Sequence, residues 1–209
     1  MFAVAISSQQ LTLSGKSAGS GSTESRPEAS DATLIKAVAA GDRSAMQLLY
    51  MRHNVTVFRF ILRLINNPSL AEDLVSEVFL DVWRTARSFK AKSQVSTWLL
   101  AIARNKAFSA LRRRSDVQLV DDALATVEDP ADDPETLMEK EDRSAIIRKC
   151  LAQLSPAHRE VLDLVYYHEK SIAEIAEIAS VPASTVKTRA FYARNHMQKF
   201  LKSAGVEAL

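Results

Sequence analysis

Apolar residues recur at intervals of three or four positions along most of this chain, and that period predicts helices. In residues 172–179 one apolar stripe is formed by Ile172, Ile175, Ala176 and Ala179. Ser180-Val181-Pro182 ends this helix, because proline lacks a backbone N–H and disfavours helix in the residue before it. Proline is well tolerated as the first residue of a helix, so a second helix is predicted from Pro182. The residues that share its apolar face are Val186, Ala190, Ala193 and Met197.

The opposite face of this second helix carries hydroxyl, aromatic and basic side chains. Its members are Thr185, Lys187, Thr188, Arg189, Phe191, Tyr192 and Arg194. A helix with one buried side and with donors, aromatics and cations on the other fits the DNA major groove, which indicates a helix-turn-helix. The alternative is an ordinary helical hairpin with the same apolar stripes. DNA binding is favoured because no acid lies between Lys187 and Arg194, whereas a structural surface helix usually mixes both charges.

The N-terminal half predicts four helices between about Asp31, a candidate N-cap, and Arg114. Gly41-Asp42 and the turn signal Asn66-Asn67-Pro68-Ser69 separate the first three. The third helix, over residues 69–89, turns Leu70, Leu74, Val78 and Val82 inward. Its other side carries Glu72, Asp73, Glu77 and Asp81. This acidic stripe is either a solvated helix face or a docking surface for a basic partner.

A basic and aromatic run from Phe89 to Arg114 follows, and its fourth helix begins at about Thr97. Its cations are Lys90, Lys92, Arg104, Lys106, Arg112, Arg113 and Arg114, with no acid among them. Phe89, Trp98 and Phe108 are interleaved with these cations. Cations that follow a phosphate backbone, with aromatic faces for stacking, are typical of a platform for single-stranded nucleic acid. The alternative is a solvated basic face over core aromatics, and for Trp98 the two interpretations stay open.

Charge is distributed unevenly, although 27 basic and 25 acidic residues leave a formal net charge of only +2. Residues 115–142 hold eleven acids against Lys140, and Pro130 and Pro134 interrupt any helix, so this stretch is predicted to be a linker. Residues 1–30 are rich in Ser, Gly and Thr and are predicted to be a disordered extension. With 5 Gly, 6 Pro and little alternation of β-branched residues, the predicted fold is all-α, with two small helical domains joined by a flexible acidic linker.

Several classes of chemistry are disfavoured by what the sequence lacks. The single cysteine, Cys150, excludes an internal disulfide and suits a reducing cytoplasm. The four histidines are scattered without ligand spacing, and neither a phosphate-binding glycine loop nor a nucleophile elbow occurs. We therefore expect no enzyme activity, no metal site and no cofactor. No apolar run approaches the roughly 20 residues of a membrane span, so neither membrane insertion nor export is expected.

Taken in order, these blocks resemble a bacterial RNA polymerase sigma factor. AEDLVSEVFLDVWRTARSF followed by STWLLAIARNKAFSALRRR is similar to the family's region 2, and LSPAHREVLDLVYYHEKSIAEIAEIASVPASTVKTRAFYAR is similar to its region 4. The two-module form looks like the extracytoplasmic-function (ECF) group. The resemblance implies a region 2-like domain over residues 31–114, a linker over 115–138 and a region 4-like domain over 139–203. Residues 1–30 and 204–209 would be an extension and a tail.

The resemblance also implies roles for the candidate residues. The acidic stripe of the third helix would dock on a coiled coil of the polymerase β′ subunit, through Asp73, Ser76 and Glu77. The basic and aromatic run would open and capture the downstream promoter element, through Phe89, Lys90, Lys92, Trp98, Arg104, Lys106, Phe108, Arg112 and Arg113. The second helix of the helix-turn-helix would bind the upstream element, with Thr188, Phe191 and Tyr192 at the bases and Lys187, Arg189 and Arg194 at phosphates.

The function implied is that of a cytoplasmic sigma factor that binds core RNA polymerase and promotes transcription initiation at specific promoters. Expected partners are the polymerase β′ and β subunits, promoter DNA and an anti-sigma factor. Promoter elements about 17 base pairs apart lie roughly 58 Å from each other, and a linker of about 24 residues can reach roughly 80 Å. The alternative is a stand-alone helix-turn-helix regulator with an N-terminal sensing or dimerisation domain, which would not need the run from Phe89 to Arg114.

Overall fold

A computed structural model describes residues 29–117 and 146–203, with side chains as far as Arg114 in the first range. Most of the predicted extension, most of the predicted linker and the predicted tail lie outside the described residues. The first range, here called the N-terminal module, contains α1 (Asp31–Ala39), α2 (Arg43–Ile65), α3 (Pro68–Thr85), a 3₁₀ turn (Ala86–Ser88) and α4 (Val95–Val117). The second range, the C-terminal module, contains α5 (described over 146–152), α6 (Pro156–Tyr166), α7 (Ile172–Ala179) and α8 (Ala183–Ser203). No strand occurs in either range, and the all-α prediction is confirmed.

Helix ends in the N-terminal module follow local capping chemistry. Asp42 accepts hydrogen bonds from the first amides of α2, after Gly41 turns the chain at a φ of 94°. Asn66 ends α2 in the left-handed region, and Asn67 then caps α3. Asp31 was predicted to be an N-cap, and this prediction is wrong. Asp31 is the first residue of α1, and Ser30 is its N-cap, because the Ser30 side chain accepts a hydrogen bond from the amide of Thr33.

The core of the N-terminal module is formed where α2, α3 and α4 meet. The predicted inward face of α3 is buried at Leu74, Val78 and Val82, while Leu70 is only partly buried. Phe60 and Leu64 of α2 pack into the same cluster. In α4 the residues at this core are Leu99, Leu100, Ala103, Ala107 and Ala110.

The helix-turn-helix of the C-terminal module is confirmed as two helices joined by a tight turn. Ser171 and Glu174 form a capping box at the start of α7. Ser180 ends α7 with a φ of 52°, a left-handed conformation that usually favours glycine. The helix α8 begins at Ala183, so Pro182 lies just before it rather than as its first residue. The apolar stripe of α7 also includes buried Ile178, which the sequence pattern missed.

The two modules pack directly against each other. The main contacts are between α4 and α7 and between α2 and α6. Val161 and Leu164 of α6 and Ile175 and Ile178 of α7 belong to the same apolar cluster as the core of the N-terminal module. The two domains, predicted to be joined by a flexible acidic linker, therefore also pack on each other through one shared apolar cluster in this structure.

Glu174 contributes to this arrangement through an ionised carboxylate, which yields a pH-dependent prediction. It accepts hydrogen bonds from Ser171, Lys170 and Thr97, the last across the intermodule contact at 2.9 Å. Although desolvation acts in the opposite direction, these bonds lower the pKa of Glu174 to about 2. Because the pKa is lower in the folded chain, the stabilisation is present above the ordinary value of 4.5 and is lost as the pH falls toward 2.

We therefore expect Glu174→Gln to lower the melting temperature at pH 7, with a difference from wild type that shrinks as the pH falls below 4.5. Replacing the charged acceptor by a neutral one weakens its hydrogen bonds by about 1 kcal/mol. For a chain of this size the expected shift is about 2–4 °C. Thermal unfolding followed by circular dichroism at pH 7, 4 and 3 measures it. A difference that is independent of pH would contradict the role of the ionised carboxylate.

Candidate nucleic-acid and protein interfaces

The outer face of α8 presents two aromatic rings to solvent. The exposed fractions are 55% for Phe191 and 51% for Tyr192, and their ring centroids lie 5.5 Å apart in an edge-to-face arrangement. The opposite side of α8 is buried through Val186, Ala190 and Ala193, so these rings face away from the core. Lys187, Thr188 and Arg194 are exposed on the same side as the rings.

Two residues that the sequence placed on this outer face are only partly accessible. Thr185 and Arg189 are half-buried. The Arg189 Nη1 atom is buried without a hydrogen-bond partner. The Arg189 guanidinium is therefore partly enclosed by the protein rather than fully open to solvent, which helical periodicity alone could not show.

The basic run of the N-terminal module divides into an exposed part and an engaged part. Lys90 and Lys92, in the loop before α4, and Arg112 and Arg113, near its C-terminal end, are exposed. Ala91 holds this loop in a left-handed conformation with a φ of 51°. Phe89 and Trp98 are half-buried, with ring centroids 5.1 Å apart, and both pack against the core. Trp98 thus combines a core contact with a partly open ring.

Arg104 and Phe108 form a pair within α4. The Arg104 guanidinium lies 4.5 Å from the centre of the Phe108 ring, and its Nε donates to the carboxylate of Glu160 in the other module. The Arg104 side chain is 16% exposed, and that of Glu160 is completely buried. Arg104 is therefore occupied within the chain in this arrangement.

Lys106 lies among the acids of α3. Its Nζ is 3.1 Å from Glu77 Oε2 and 2.9 Å from Asp81 Oδ2. The hydrogen bonds from Lys106 to Asp81 and Glu77 raise the pKa of the ammonium, against the opposing effect of desolvation. This contact spans 29 residues and joins the acidic stripe to the basic helix, which no local pattern in the sequence indicates.

The acidic stripe is accessible on α3. Asp73, Ser76 and Glu77 are all exposed, and the Ser76 hydroxyl donates to the backbone carbonyl of Glu72. A shallow groove between α2 and α3 runs beside the stripe, lined by Tyr50, Asn54, Val55, Phe58, Glu72, Val75 and Ser76. The exposed apolar residues Leu48, Met51 and Val55 continue along α2 from this groove. These three residues lie at helical spacing and form a second apolar stripe on α2. This stripe is the sequence pattern that could have indicated the groove.

The intermodule interface is rich in polar contacts that no pattern in the sequence indicates. Arg63 Nη1 donates to Asp163 Oδ1 at 2.8 Å, and the Arg63 guanidinium lies 4.0 Å from the centre of the Tyr167 ring. Glu160 and Asp163 are buried acids on the otherwise apolar side of α6. Their position on that side could have indicated these contacts from the sequence, because a buried acid needs a partner from another element.

Within residues 29–117 and 146–203, no helix is long and apolar enough to cross a membrane. The same ranges contain no cluster of three or more His, Cys, Asp or Glu side chains placed to hold a metal ion.

Comparison with known proteins gives matches in both modules. The family model described as Sigma-70 region 2 matches residues 49–117, and that described as Sigma-70, region 4 matches residues 144–197. ECF RNA polymerase sigma factor SigL of Mycobacterium tuberculosis is 30% identical over 182 residues, which cover 82% of this chain and 97% of SigL. ECF RNA polymerase sigma factor SigW of Bacillus subtilis is 29% identical over 177 residues, covering 80% and 95%.

A solved structure supports the fold. The sigma factor RpoE of Bartonella quintana, crystallised with the anti-sigma factor NepR, superimposes with a TM-score of 0.62 at 27% identity. The match covers 75% of this chain and 96% of that one. The match of residues 49–117 to region 2 does not favour an N-terminal sensing or dimerisation domain.

Proposed function

Because this chain belongs to the ECF group of RNA polymerase sigma factors, which direct core polymerase to promoters, we propose how its surfaces divide that work. The observation that carries the proposal is the acid-free face of α8, where exposed aromatics stand between exposed cations. We assign two DNA-binding surfaces, one on α8 and one on the loop before α4 with the end of α4, and one polymerase-docking surface on α3.

The upstream promoter element is proposed to bind α8 in the major groove. Thr188, Phe191 and Tyr192 are exposed and project toward the base edges and sugars, while Lys187 and Arg194 contact phosphates on either side. Thr185 and Arg189 complete the proposed set, and both have to become more accessible on binding because they are half-buried.

The downstream element is proposed to bind the loop before α4 and the exposed end of that helix. Lys90, Lys92, Arg112 and Arg113 supply accessible positive charge, and the half-buried pair of Phe89 and Trp98 offers stacking edges to unpaired bases. The proposed set also includes Arg104, Lys106 and Phe108. Both cations have to exchange their intramolecular carboxylates for phosphate.

The polymerase is proposed to dock through the acidic stripe, with Asp73, Ser76 and Glu77 facing the β′ subunit and the C-terminal module facing the β subunit. Exposed carboxylates on a rigid helix complement a basic helical partner and speed its association. We infer that the chain works in the cytoplasm with polymerase, without an enzyme activity of its own. We also infer that it is held by an anti-sigma factor, as RpoE of Bartonella quintana is by NepR.

Run-off transcription with purified core polymerase and fragmented genomic DNA tests the proposed function. The full chain is expected to direct initiation at a small set of sites, whose upstream sequences share two conserved blocks about one to two helical turns apart. Core polymerase alone is the control. Initiation that is no more selective than with core polymerase alone would overturn the proposal.

Tyr192→Ala is expected to change promoter preference at one upstream base position, with a discrimination loss of about 1–3 kcal/mol there. The reason is that Tyr192 is exposed toward the groove, whereas the neighbouring Lys187 provides charge without reading a base. Lys187→Ala, the matched variant, should weaken all promoters about equally. Binding of holoenzyme to a library of single-base promoter variants distinguishes the two. An equal loss at every sequence from Tyr192→Ala would remove its base-reading role.

A further inference from the structure

We propose that the apolar start of the N-terminal extension, residues 1–6, occupies the groove between α2 and α3 and competes there with polymerase. This inference rests on the proposed function, because it presumes that polymerase docks on the acidic stripe beside the groove. It goes beyond that function by giving the extension a role as an inhibitor of docking that the chain itself carries.

The groove lies at the centre of an exposed apolar surface. Its walls include Phe58 of α2 and Val75 of α3, and its volume is about 460 Å³. Tyr50, Met51 and Val55 lie in or beside it on α2, and each is 42–56% exposed. Single exposed apolar residues are ordinary, but a group of them around one groove is typical of a binding surface.

The walls of the groove are held in place by the core beneath it. The ring of Tyr50 meets that of Phe79 edge to face, with centroids 4.8 Å apart. Phe79 and Val75 are 4% and 5% exposed, so this side of the groove is part of the packing between α2 and α3. The groove is therefore preformed, and a ligand loses less free energy in binding to it than to a site that must first be ordered.

The extension begins with a segment whose chemistry suits this groove. Phe2, Val4 and Ile6 alternate with alanines, and residues 1–15 contain no charged side chain. In an extended chain alternate side chains point to the same face, so an extended segment directs these three large apolar side chains into the groove together. Because the segment has no charged side chain, its binding requires no charge to be desolvated.

The extension joins the described structure beside α2. Arg52 of α2 donates to the carbonyl of Ala29 at 2.6 Å and to the Asp31 carboxylate at 3.0 Å. His53 Nε2 lies 2.7 Å from the other Asp31 oxygen, so two side chains of α2 fix the point of entry. Arg52 precedes Val55 by three residues, about 4.5 Å along the helix axis. The extension therefore meets the N-terminal module at the level of the groove.

The residues that connect this entry point to the apolar segment are long enough to reach the groove. Ile6 and Ala29 are 23 residues apart, and residues 7–28 hold three of the 5 glycines of the chain. A Gly/Ser-rich connection of this length has a root-mean-square span of about 24–29 Å. Passing around α2, about 10–12 Å in diameter, requires less than this. A connection that matches its span gives the tethered segment a local concentration in the millimolar range.

A segment in the groove interferes with docking on the acidic stripe. Glu72 and Ser76 line the groove, and Asp73 and Glu77 follow them directly along α3. Ser76 therefore belongs both to the groove and to the proposed polymerase-docking surface. The apparent affinity for polymerase is reduced in proportion to the fraction of chains whose groove is open.

Nuclear magnetic resonance of the full-length chain locates the segment. A nitroxide label is attached at Ser8→Cys in a Cys150→Ala background, and the methyl groups of the methionines are observed. We expect the label to broaden the signal of Met51, which is exposed beside the groove, but not that of Met197 on α8. No broadening of Met51, or equal broadening of both signals, would overturn the proposal.

Matched variants separate apolar contact from mere proximity. Phe2→Ser, Val4→Ser and Ile6→Ser together, the triple variant, are expected to abolish the selective broadening. Ala3→Ser and Ala5→Ser together, the double control, should retain it, because these side chains point away from the groove in an extended segment. Persistence of the broadening in the triple variant would contradict binding through the apolar side chains.

A mixed sample distinguishes the segment of the same chain from that of a second copy. Chains that carry the nitroxide but no isotope label are mixed with isotope-labelled chains that carry no nitroxide. We expect the Met51 signal to stay sharp in this mixture. Selective broadening there would show that a second copy fills the groove, and it would overturn binding within one chain.

Binding to core polymerase measures the consequence. By fluorescence anisotropy, the triple variant is expected to bind at least about threefold more tightly than the double control. Equal or weaker binding by the triple variant would overturn the proposed competition. Failure of every chain, wild type included, to bind polymerase would instead contradict the proposed function. The resonance measurement does not involve polymerase, so the two failures are distinguishable.

Discussion

Lysine at both Asp73 and Glu77 is expected to reduce binding to core polymerase by at least about 100-fold, because each change turns an attraction at the docking surface into a repulsion. Both positions are exposed on α3, so the substitutions leave the core untouched. Binding of labelled full-length chain to core polymerase, followed by fluorescence anisotropy, measures the loss. Circular dichroism verifies the fold.

The double variant also removes the ion pair between Glu77 and Lys106, and a single substitution avoids this second change. Asp73→Lys alone leaves both acceptors of Lys106 in place and should lose about 10-fold in affinity. Ala32→Lys, which adds a positive charge at an exposed position of α1 outside the docking stripe, is the matched control and should bind normally. Normal binding by Asp73→Lys and by the double variant would disprove the docking assignment.

The isolated chain is expected to bind promoter duplex weakly and to leave it closed, while core polymerase with the same chain opens it. Opening about ten base pairs costs on the order of 14 kcal/mol. Stacking returns about 1–3 kcal/mol for each captured base, so the two aromatic rings near the loop cannot open the duplex alone. The free energy must come from the contacts that polymerase makes.

Permanganate reactivity of promoter thymines measures this difference, and gel-shift titration measures duplex binding. We expect reactive thymines in the downstream element only when both the chain and core polymerase are present. A duplex of scrambled sequence is the control. Tight, sequence-specific binding by the isolated chain would contradict the expectation.

Local features of the sequence were sufficient to predict the helices. Asp42, Asn67, Ser155 and Ser171 each cap the helix that follows, because capping involves atoms only two or three residues apart. The same local geometry predicted that Phe191 and Tyr192 are exposed, since their opposite face on α8 is apolar.

Contacts between distant elements were not predictable in this way. Arg104 and Glu160 are 56 residues apart, and Lys106 and Glu77 are 29 apart, so no helical period relates them. The basic run from Phe89 to Arg114 was therefore read as one surface, although the fold commits Arg104 and Lys106 to separate acids. A helix period gives the direction of a side chain, but the neighbouring element decides what that side chain meets.

The buried arginine–carboxylate pairs between the modules and the proposed contacts with DNA phosphates should respond differently to ionic strength. Phosphate contacts weaken steeply as salt rises, since DNA binding releases counterions. The Asp163 and Glu160 carboxylates are 2% and 0% exposed, so added ions cannot screen their pairs to the same extent. Raising the salt concentration should therefore weaken the proposed DNA contacts far more than the contact between the two modules.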